Sequence, residues 1–296
     1  NRTNYSSPVQ VGSDTTWSSF PNNTSVLEAV AGLTKTDGTL WVWGENDYGQ
    51  LGQNNKTDYS SPVQVPGTWA KTCMSTNQIA LINSSGELYI AGRSDHGTLG
   101  QNDRTYYSSP VQVTGTTWAN IEIGDYGGAA FAVKTDGSLW SWGYNANNGE
   151  GILGQNSTAS LSSPTQVGSD TTWSTEDNKI SCGYRAVAMI KTDGTLWSWG
   201  NNSYGQIGNG AGTVDAYSSP VQVPGTTWSV VHRGQINTFA MKTDGTAWGW
   251  GRNDEGNLGL NSTSVGAYSS PIQIPGTNWA TLGIQSGENY GAGFRI

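Results

Sequence analysis

The stretch Lys191-Thr-Asp-Gly-Thr-Leu-Trp-Ser-Trp-Gly200 decides how the rest of the chain is read. Its Asp-Gly pair calls for a tight hairpin, because glycine supplies the positive φ that such a turn needs. A small apolar run, from Ala188 to Ile190, enters the turn, and Leu-Trp-Ser-Trp leaves it. The two tryptophans stand two residues apart and so share one face of a strand. Near copies begin at Lys35, Lys134 and Lys242. A weaker copy begins at Asn83, where Tyr89 and Ala91 stand in for the tryptophans.

Working outward from this phrase, three further markers recur. Ser-Ser-Pro followed by Val-Gln-Val or a near variant carries Pro8, Pro62, Pro110, Pro164, Pro220 and Pro271. A lone tryptophan follows each: Trp17, Trp69, Trp118, Trp173, Trp228 and Trp279. The small apolar run closes at Lys35, Asn83, Lys134, Lys191, Lys242 and Ile296. Each marker reads as a strand. Strand A opens at or near the lone tryptophan, and strand B is the alanine-rich run, whose small side chains suit crowded packing near an axis. Strand C is the tryptophan pair. Strand D is Pro-Val-Gln-Val, where a proline at the start suits an outer edge. The period is about 51 residues. Four short strands per period around a closed ring make an all-β propeller of about six blades, occupying residues 1–296 as one domain. A linear solenoid is the alternative, but it needs capping repeats, and none is apparent.

Composition narrows the function. The chain has 296 residues, of which 34% are hydrophobic and 12% charged, with 41 Gly and 14 Trp. Disorder goes with few aromatics and high charge, so a ring-rich folded core is expected instead. The net charge of −8 and the scattering of only 14 basic residues disfavour nucleic acid as a partner. No apolar run is long enough to span a membrane. The two cysteines, Cys73 and Cys182, fall at similar places in different repeats and read as buried free thiols.

The segment from Lys191 to Gly208 resembles the repeat of the RCC1 (regulator of chromosome condensation) family, as does Glu45-Asn-Asp-Tyr-Gly-Gln-Leu-Gly52. Ile180-Ser-Cys-Gly183 resembles the family's strand A. The resemblance covers the whole chain and implies a propeller, typically of seven blades. It also implies work by binding other proteins across a face, as in nucleotide exchange on a small GTPase, attachment to chromatin, or inhibition of secreted β-lactamases. No wedge-like insertion of the kind an exchange factor uses stands out among the short loops.

Six A, B and D strands are counted, but only five C strands. Ile296 aligns with Lys134, and Asn1 aligns with Asn55. The sixth blade therefore lacks the counterpart of Thr36–Asn54, a span of 19 residues, and the N-terminal D strand is expected to close it. Three readings compete: a fragment of a longer protein, a natural ring with a defective blade, or a neighbouring chain that supplies the strand.

No catalytic constellation is apparent. His96 and His232 are not clustered with other ligand types, so neither a metal nor a cofactor is expected. The aspartates of the hairpins (Asp37, Asp136, Asp193 and Asp244) read as turn chemistry. A glycan-cleaving site would need two facing carboxylates, and Asp125 and Glu288 are the only candidates in the A–B loops. What remains is a binding surface. Antiparallel order puts the A–B and C–D loops on one face and the repetitive B–C turns and D–A links on the other. The varied face carries the candidate binding residues Tyr48, His96, Tyr126, Tyr144, Tyr184, Arg185, Tyr204 and Tyr290. Asn22, Gln78 and Gln235 share its A–B loops, and Glu255 its C–D loops. The expected function is a non-catalytic protein- or glycan-binding module, extracellular or on a virion or cell surface. The alternative is a regulatory guanine-nucleotide-exchange protein.

Overall fold

The computed structural model describes residues 10, 12–21, 30–124, 128–145, 149–183, 185–214 and 216–279, with the backbone alone of 281–284 and 292–295. Among the described residues there is no helix. Blade 1 holds β1 (Trp17–Ser19), β2 (Val30–Lys35), β3 (Leu40–Gly44) and β4 (Tyr59–Val65). Blade 2 holds β5 (Lys71–Ser75), β6 (Gln78–Ile82), β7 (Leu88–Gly92) and β8 (Tyr107–Gln112). Blade 3 holds β9 (Trp118–Ile123), β10 (Ala129–Lys134), β11 (Leu139–Gly143) and β12 (Leu161–Gln166). Blade 4 holds β13 (Ile180–Cys182), β14 (Ala186–Ile190), β15 (Leu196–Asn201) and β16 (Ala216–Val223). Blade 5 holds β17 (Trp228–Arg233), β18 (Asn237–Lys242), β19 (Ala247–Arg252) and β20 (Ala267–Gln273). A two-stranded sheet of β21 (Thr281–Ile284) and β22 (Ala292–Arg295) follows.

Each of the five four-stranded sheets is an antiparallel meander in the order A-B-C-D. Strands A of successive blades touch one another, as β9 does β5 and β13. The inner edge therefore belongs to A, with the alanine-rich B one place further out. Strand D begins about three residues before its proline, at Tyr59 for Pro62, and a register shift in each C–D pair accommodates it. The expected sixth D strand at Pro8 lies outside the described residues.

The hairpin chemistry repeats with little variation. Gly38 (φ 81°) turns the chain, and its N–H donates to Lys35 O at 3.0 Å. The Thr39 amide and hydroxyl both donate to Asp37 Oδ1, at 2.9 and 2.7 Å. Trp41 Nε1 in turn donates to Thr39 Oγ1 at 3.1 Å. The same chain of bonds runs through Asp136–Ser138–Trp140, Asp193–Thr195–Trp197 and Asp244–Thr246–Trp248. These donors hold all four aspartates below the usual carboxylate range. The lysine that opens each hairpin lies over two indoles. Lys191 Nζ is 4.0 Å from the Trp197 ring centre and 4.8 Å from that of Trp173, and Lys35, Lys134 and Lys242 repeat the arrangement. A cation so placed contributes about 0.5–1 kcal/mol per exposed contact, and more when desolvated.

The second tryptophan of strand C locks blade to blade. Trp142, Trp199 and Trp250 are fully buried. Their indoles donate to carbonyls of the preceding blade's C–D loop: Thr98 O at 2.9 Å, Ile152 O at 2.7 Å and Gln206 O at 3.0 Å. Four of the five core clusters accordingly join buried residues of two blades, as Ile90 and Leu99 with Trp118 and Trp142. Cys73 and Cys182 are buried free thiols.

Blade 4 departs from the pattern. Four extra residues separate Trp173 from Gly183, relative to Trp118 and Gly124. Trp173 makes only an isolated bridge to Lys191. The chain then runs through 174–179 before β13 begins, touching three other blades on the way. Glu176 O accepts from Asn120 Nδ2 at 2.9 Å in blade 3, and Val231 N of blade 5 donates to Asn178 O at 3.1 Å. Asp177 pairs with Lys71 of blade 2 at 2.6 Å.

Candidate functional site

The varied face is built on the C–D loops. A single buried asparagine organises each loop in four of the five blades. Asn202 Oδ1 accepts from Ile207 N at 3.0 Å, while its Nδ2 donates to Gly212 O at 3.0 Å. Asn46, Asn145 and Asn253 do the same work, and all four are 0% exposed. Blade 2 carries Ser94 at this place. The asparagine of the Trp-Gly-x-Asn segment is therefore a framework residue. It leaves the positions on either side free to vary, and these form the surface.

Those flanking positions make a ladder that runs from blade to blade. The residue before the first loop glycine meets the first loop residue of the next blade. Tyr48 lies under the Arg93 guanidinium at 5.1 Å. His96 stacks on Tyr144, with ring centres 4.1 Å apart. Glu150 accepts from Asn201 Nδ2 at 2.9 Å. Tyr204 lies under Arg252 at 5.6 Å. Tyr144 thus occupies the loop's first position, matching Arg93 and Arg252. The place that matches Tyr48 falls to Glu150, because this loop is three residues longer.

The ladder is knitted further by charge. Arg93 pairs with Asp95, whose other carboxylate oxygen accepts from the Tyr106 hydroxyl. Tyr106 also meets Tyr48 edge-on at 5.7 Å. Arg252 pairs with Asp254 at 2.7 Å. Arg185, from the A–B loop of blade 4, bonds Glu150 at 3.1 Å. Burial pushes the Glu150 carboxyl up, against the opposing pull of Arg185 and Asn201. The imidazole of His96 is pushed down by burial, with Asp95 opposing.

The structure therefore brings Tyr48, His96, Tyr144, Arg185 and Tyr204 to one face. Tyr204 is the most open, at 39% exposure. Tyr126, Tyr184 and Tyr290 lie outside the described residues, as do Asn22, Asp125 and Glu288. Gln78 is not a surface residue. It is fully buried, and its Nε2 donates to Arg93 O and Thr98 Oγ1 within blade 2. Arg93, Asp95, Tyr106, Glu150 and Arg252 were missed by the sequence reading. Their signal was present, in that each stands at a fixed offset from a loop glycine, but their pairing crosses about 45 residues of sequence.

One recess lies away from this face. Gly154, Val167, Asp170, Trp173, Lys191 and Trp197 contribute to a groove of about 370 Å³ at the junction of blades 3 and 4. Asp170 is partly buried, which alone would raise its carboxyl. Hydrogen bonds from Lys191 and Thr172 outweigh this and hold it at about 2. Among the described residues no three His, Cys, Asp or Glu side chains come together as a metal centre would require.

Comparison with known proteins places this architecture. A profile of the Regulator of chromosome condensation (RCC1) repeat matches residues 37–74, 136–190, 193–240 and 244–291. The chain is 31% identical over 153 residues to the human probable E3 ubiquitin-protein ligase HERC6, covering 49% of this chain and 14% of that protein. It is 28% identical over 146 residues to the Arabidopsis thaliana ultraviolet-B receptor UVR8, covering 48% of this chain and 31% of the receptor. The chain thus spans less than a third of either relative. Yeast RCC1 (Prp20), solved bound to Kap60, superposes with a TM-score of 0.71 at 19% identity, covering 86% of this chain and 62% of that one. By its repeats and its fold, the chain belongs to the RCC1 repeat family.

Proposed function

We propose that this propeller is a non-catalytic recognition module, extracellular or displayed on a virion or cell surface. It binds a protein or surface glycan through the face that carries the A–B and C–D loops. The observation that supports this most is the chemical difference between the two faces. On the B–C face the same Asp–Thr–Trp chain of bonds recurs and consumes its own donors. On the other face the asparagine hub recurs in four of the five blades while the flanking residues change from blade to blade: Tyr48, His96, Glu150 and Tyr204. Variation on a fixed frame, rich in tyrosine and arginine, is the composition of binding hot spots. The surface setting rests on the acidic, Asn-, Ser- and Thr-rich composition, which is an argument by analogy.

The test is paired alanine substitution at Tyr204 and Arg185, read by glycan-array and protein-capture binding. Loss of a specific, saturable ligand with unchanged thermal stability supports the reading. A ligand retained by that variant but lost on substituting the B–C turns overturns it. A second reading, regulatory guanine-nucleotide exchange, is favoured by the fold likeness to yeast Prp20p, a protein with binding properties to Gsp1p and histones. Enrichment of a nucleotide-free small GTPase, with accelerated nucleotide release, selects that reading. Absence of both removes it.

A further inference from the structure

Four of the five described D–A links pass close over the tryptophan that follows them. A methyl on Gly67 would lie 3.0 Å from Trp69 Cζ2, and one on Gly276 3.0 Å from Trp279 Cζ2. Those on Gly115 and Gly225 would lie 3.6 Å from Cζ2 of Trp118 and Trp228. The link from blade 3 to blade 4 differs. It reads Val167-Gly-Ser-Asp-Thr-Thr-Trp173, one residue longer than Val223-Pro-Gly-Thr-Thr-Trp228. A methyl on its one glycine, Gly168, would meet no described atom within 4 Å. This link stands off the indole, and the groove of about 370 Å³ opens beside it. Every residue that lines the groove is among the described ones.

The longer link also brings in Asp170. Its Oδ1 accepts from the Thr172 amide and hydroxyl at 2.8 and 2.6 Å, and its Oδ2 accepts from Lys191 Nζ. Beside this ion pair stands Trp197, half-buried, with its ring centre 4.0 Å from Lys191 Nζ. Asn156 and Ser219 line the groove as well. At the two preceding junctions their counterparts bond to each other, Ser109 Oγ to Asn54 Oδ1 at 3.0 Å and Ser163 Oγ to Asn102 Oδ1 at 3.3 Å. Asn156 and Ser219 are not joined in this way, so an amide and a hydroxyl remain for a ligand. The seven residues of the link recur as Val11-Gly-Ser-Asp-Thr-Thr-Trp17, where Asp14 bonds Thr16 and Lys35 as Asp170 bonds Thr172 and Lys191. The insertion is thus a repeated device with repeated chemistry.

We propose that the groove between blades 3 and 4 is a binding site for a neutral pyranose sugar unit. Such a ring has an apolar C–H face, which suits walls made by the Trp197 indole and Pro220. Around it runs a rim of hydroxyls, each of which both donates and accepts. The Asp170–Lys191 pair offers an acceptor and a donor side by side, since a carboxylate has about four lone-pair sites and an ammonium three N–H bonds. A carboxylate or phosphate ligand would meet Asp170, and an amine would meet Lys191. The pair therefore selects against net charge of either sign. The volume falls at the lower end of the range of about 300–1,000 Å³ for small-molecule sites. The groove lies away from the ladder of C–D loops, so the site is additional to the recognition face and does not depend on it.

Saturation-transfer NMR tests this with methyl β-glucoside, methyl β-galactoside and N-acetylglucosamine as probes, and with glucosamine and glucuronate as charged counterparts. The expected result is saturable transfer to the ring C–H protons of at least one neutral sugar, at millimolar affinity, and weaker binding of its charged relatives. Exchanging residues 168–170 for the Pro-Gly found at 224–225 gives blade 3 the link of blade 4 and abolishes binding. Asp170→Asn weakens it roughly three- to tenfold, the worth of one hydrogen bond. Trp248→Leu, at the junction of blades 4 and 5 where the link covers Trp228, leaves it unchanged. Absence of saturable transfer from all three neutral sugars overturns the proposal. A link-exchange variant that keeps its melting temperature and still binds does the same, as does unchanged affinity in Asp170→Asn. A charged sugar bound more tightly than its neutral relative overturns the choice of ligand.

Discussion

The tightness of the blade junction can be measured by comparing two glycines that differ in one respect. Gly208 and Gly212 both sit at φ +80°. A methyl added at Gly212 meets no described atom within 4 Å. At Gly208 it would run into the Trp250 indole, 2.7 Å from Cε2 and 2.8 Å from Cδ1 and closer still to Nε1. That indole cannot step aside cheaply, because it is fully buried and bonded to Gln206 O. Gly212→Ala therefore costs only the left-handed backbone term, about 1–2 kcal/mol. Gly208→Ala adds an overpacking term of about 1–3 kcal/mol to the same cost. Urea unfolding with a common slope should separate the two midpoints by that second amount. Trp250→Phe in the Gly208→Ala background should recover part of the difference, as coupled neighbours do. Equal losses for the two alanine variants, or strict additivity with Trp250→Phe, would show that the loop glycine is not what sets the blade spacing.

Further outcomes follow from the same geometry. Asn202→Ala leaves Ile207 N–H and Gly212 O without their buried partner and should cost about 2–4 kcal/mol, read by chemical denaturation. Lys191→Met should destabilise more than Lys242→Met, since both lysines cover two indoles but only Lys191 also pairs with Asp170. Because the Asp170 carboxyl is depressed to about 2, its contribution is complete above the unfolded value near 4 and is lost as pH falls towards 2. The gap between the two lysine variants should close over that window. Burial holds the His232 imidazole down at about 4, so its neutral form favours the folded state. That stability is complete above about pH 6.5 and falls away towards pH 4, by at most about 3 kcal/mol. The melting temperature of His232→Gln should be less sensitive to pH over this range, and an unchanged profile would place the titration elsewhere.

The features legible in the sequence were those whose partners lie close by in the chain. Asp193, Gly194, Thr195 and Trp197 complete one another within five residues, so the hairpin and its repetition could be read directly. The equivalence of the tryptophan pairs followed from their spacing. Contacts between blades were another matter. Tyr48 finds Arg93, and His96 finds Tyr144, only once the ring is formed, so no local pattern announces the ladder. The three extra residues before Gly151 carried Glu150, and not Tyr144, into the place that matches Tyr48 and hid its role. Gln78 looked like a loop residue because polar side chains are usually exposed, yet buried partners claim it.

The detour through 174–179 changes what kind of polymer this is. Stacked repeats that touch only their neighbours behave as a one-dimensional array, in which units can fray in turn. The Lys71–Asp177 pair joins positions 106 residues apart and skips a blade, while Asn120 and Val231 bind the same segment from either side. Such a cross-brace raises the contact order and ties the unfolding of blades 2, 3 and 5 to that of blade 4. The array thereby gains the all-or-none cooperativity of an ordinary globular domain, at the expense of a slower search for its native closure.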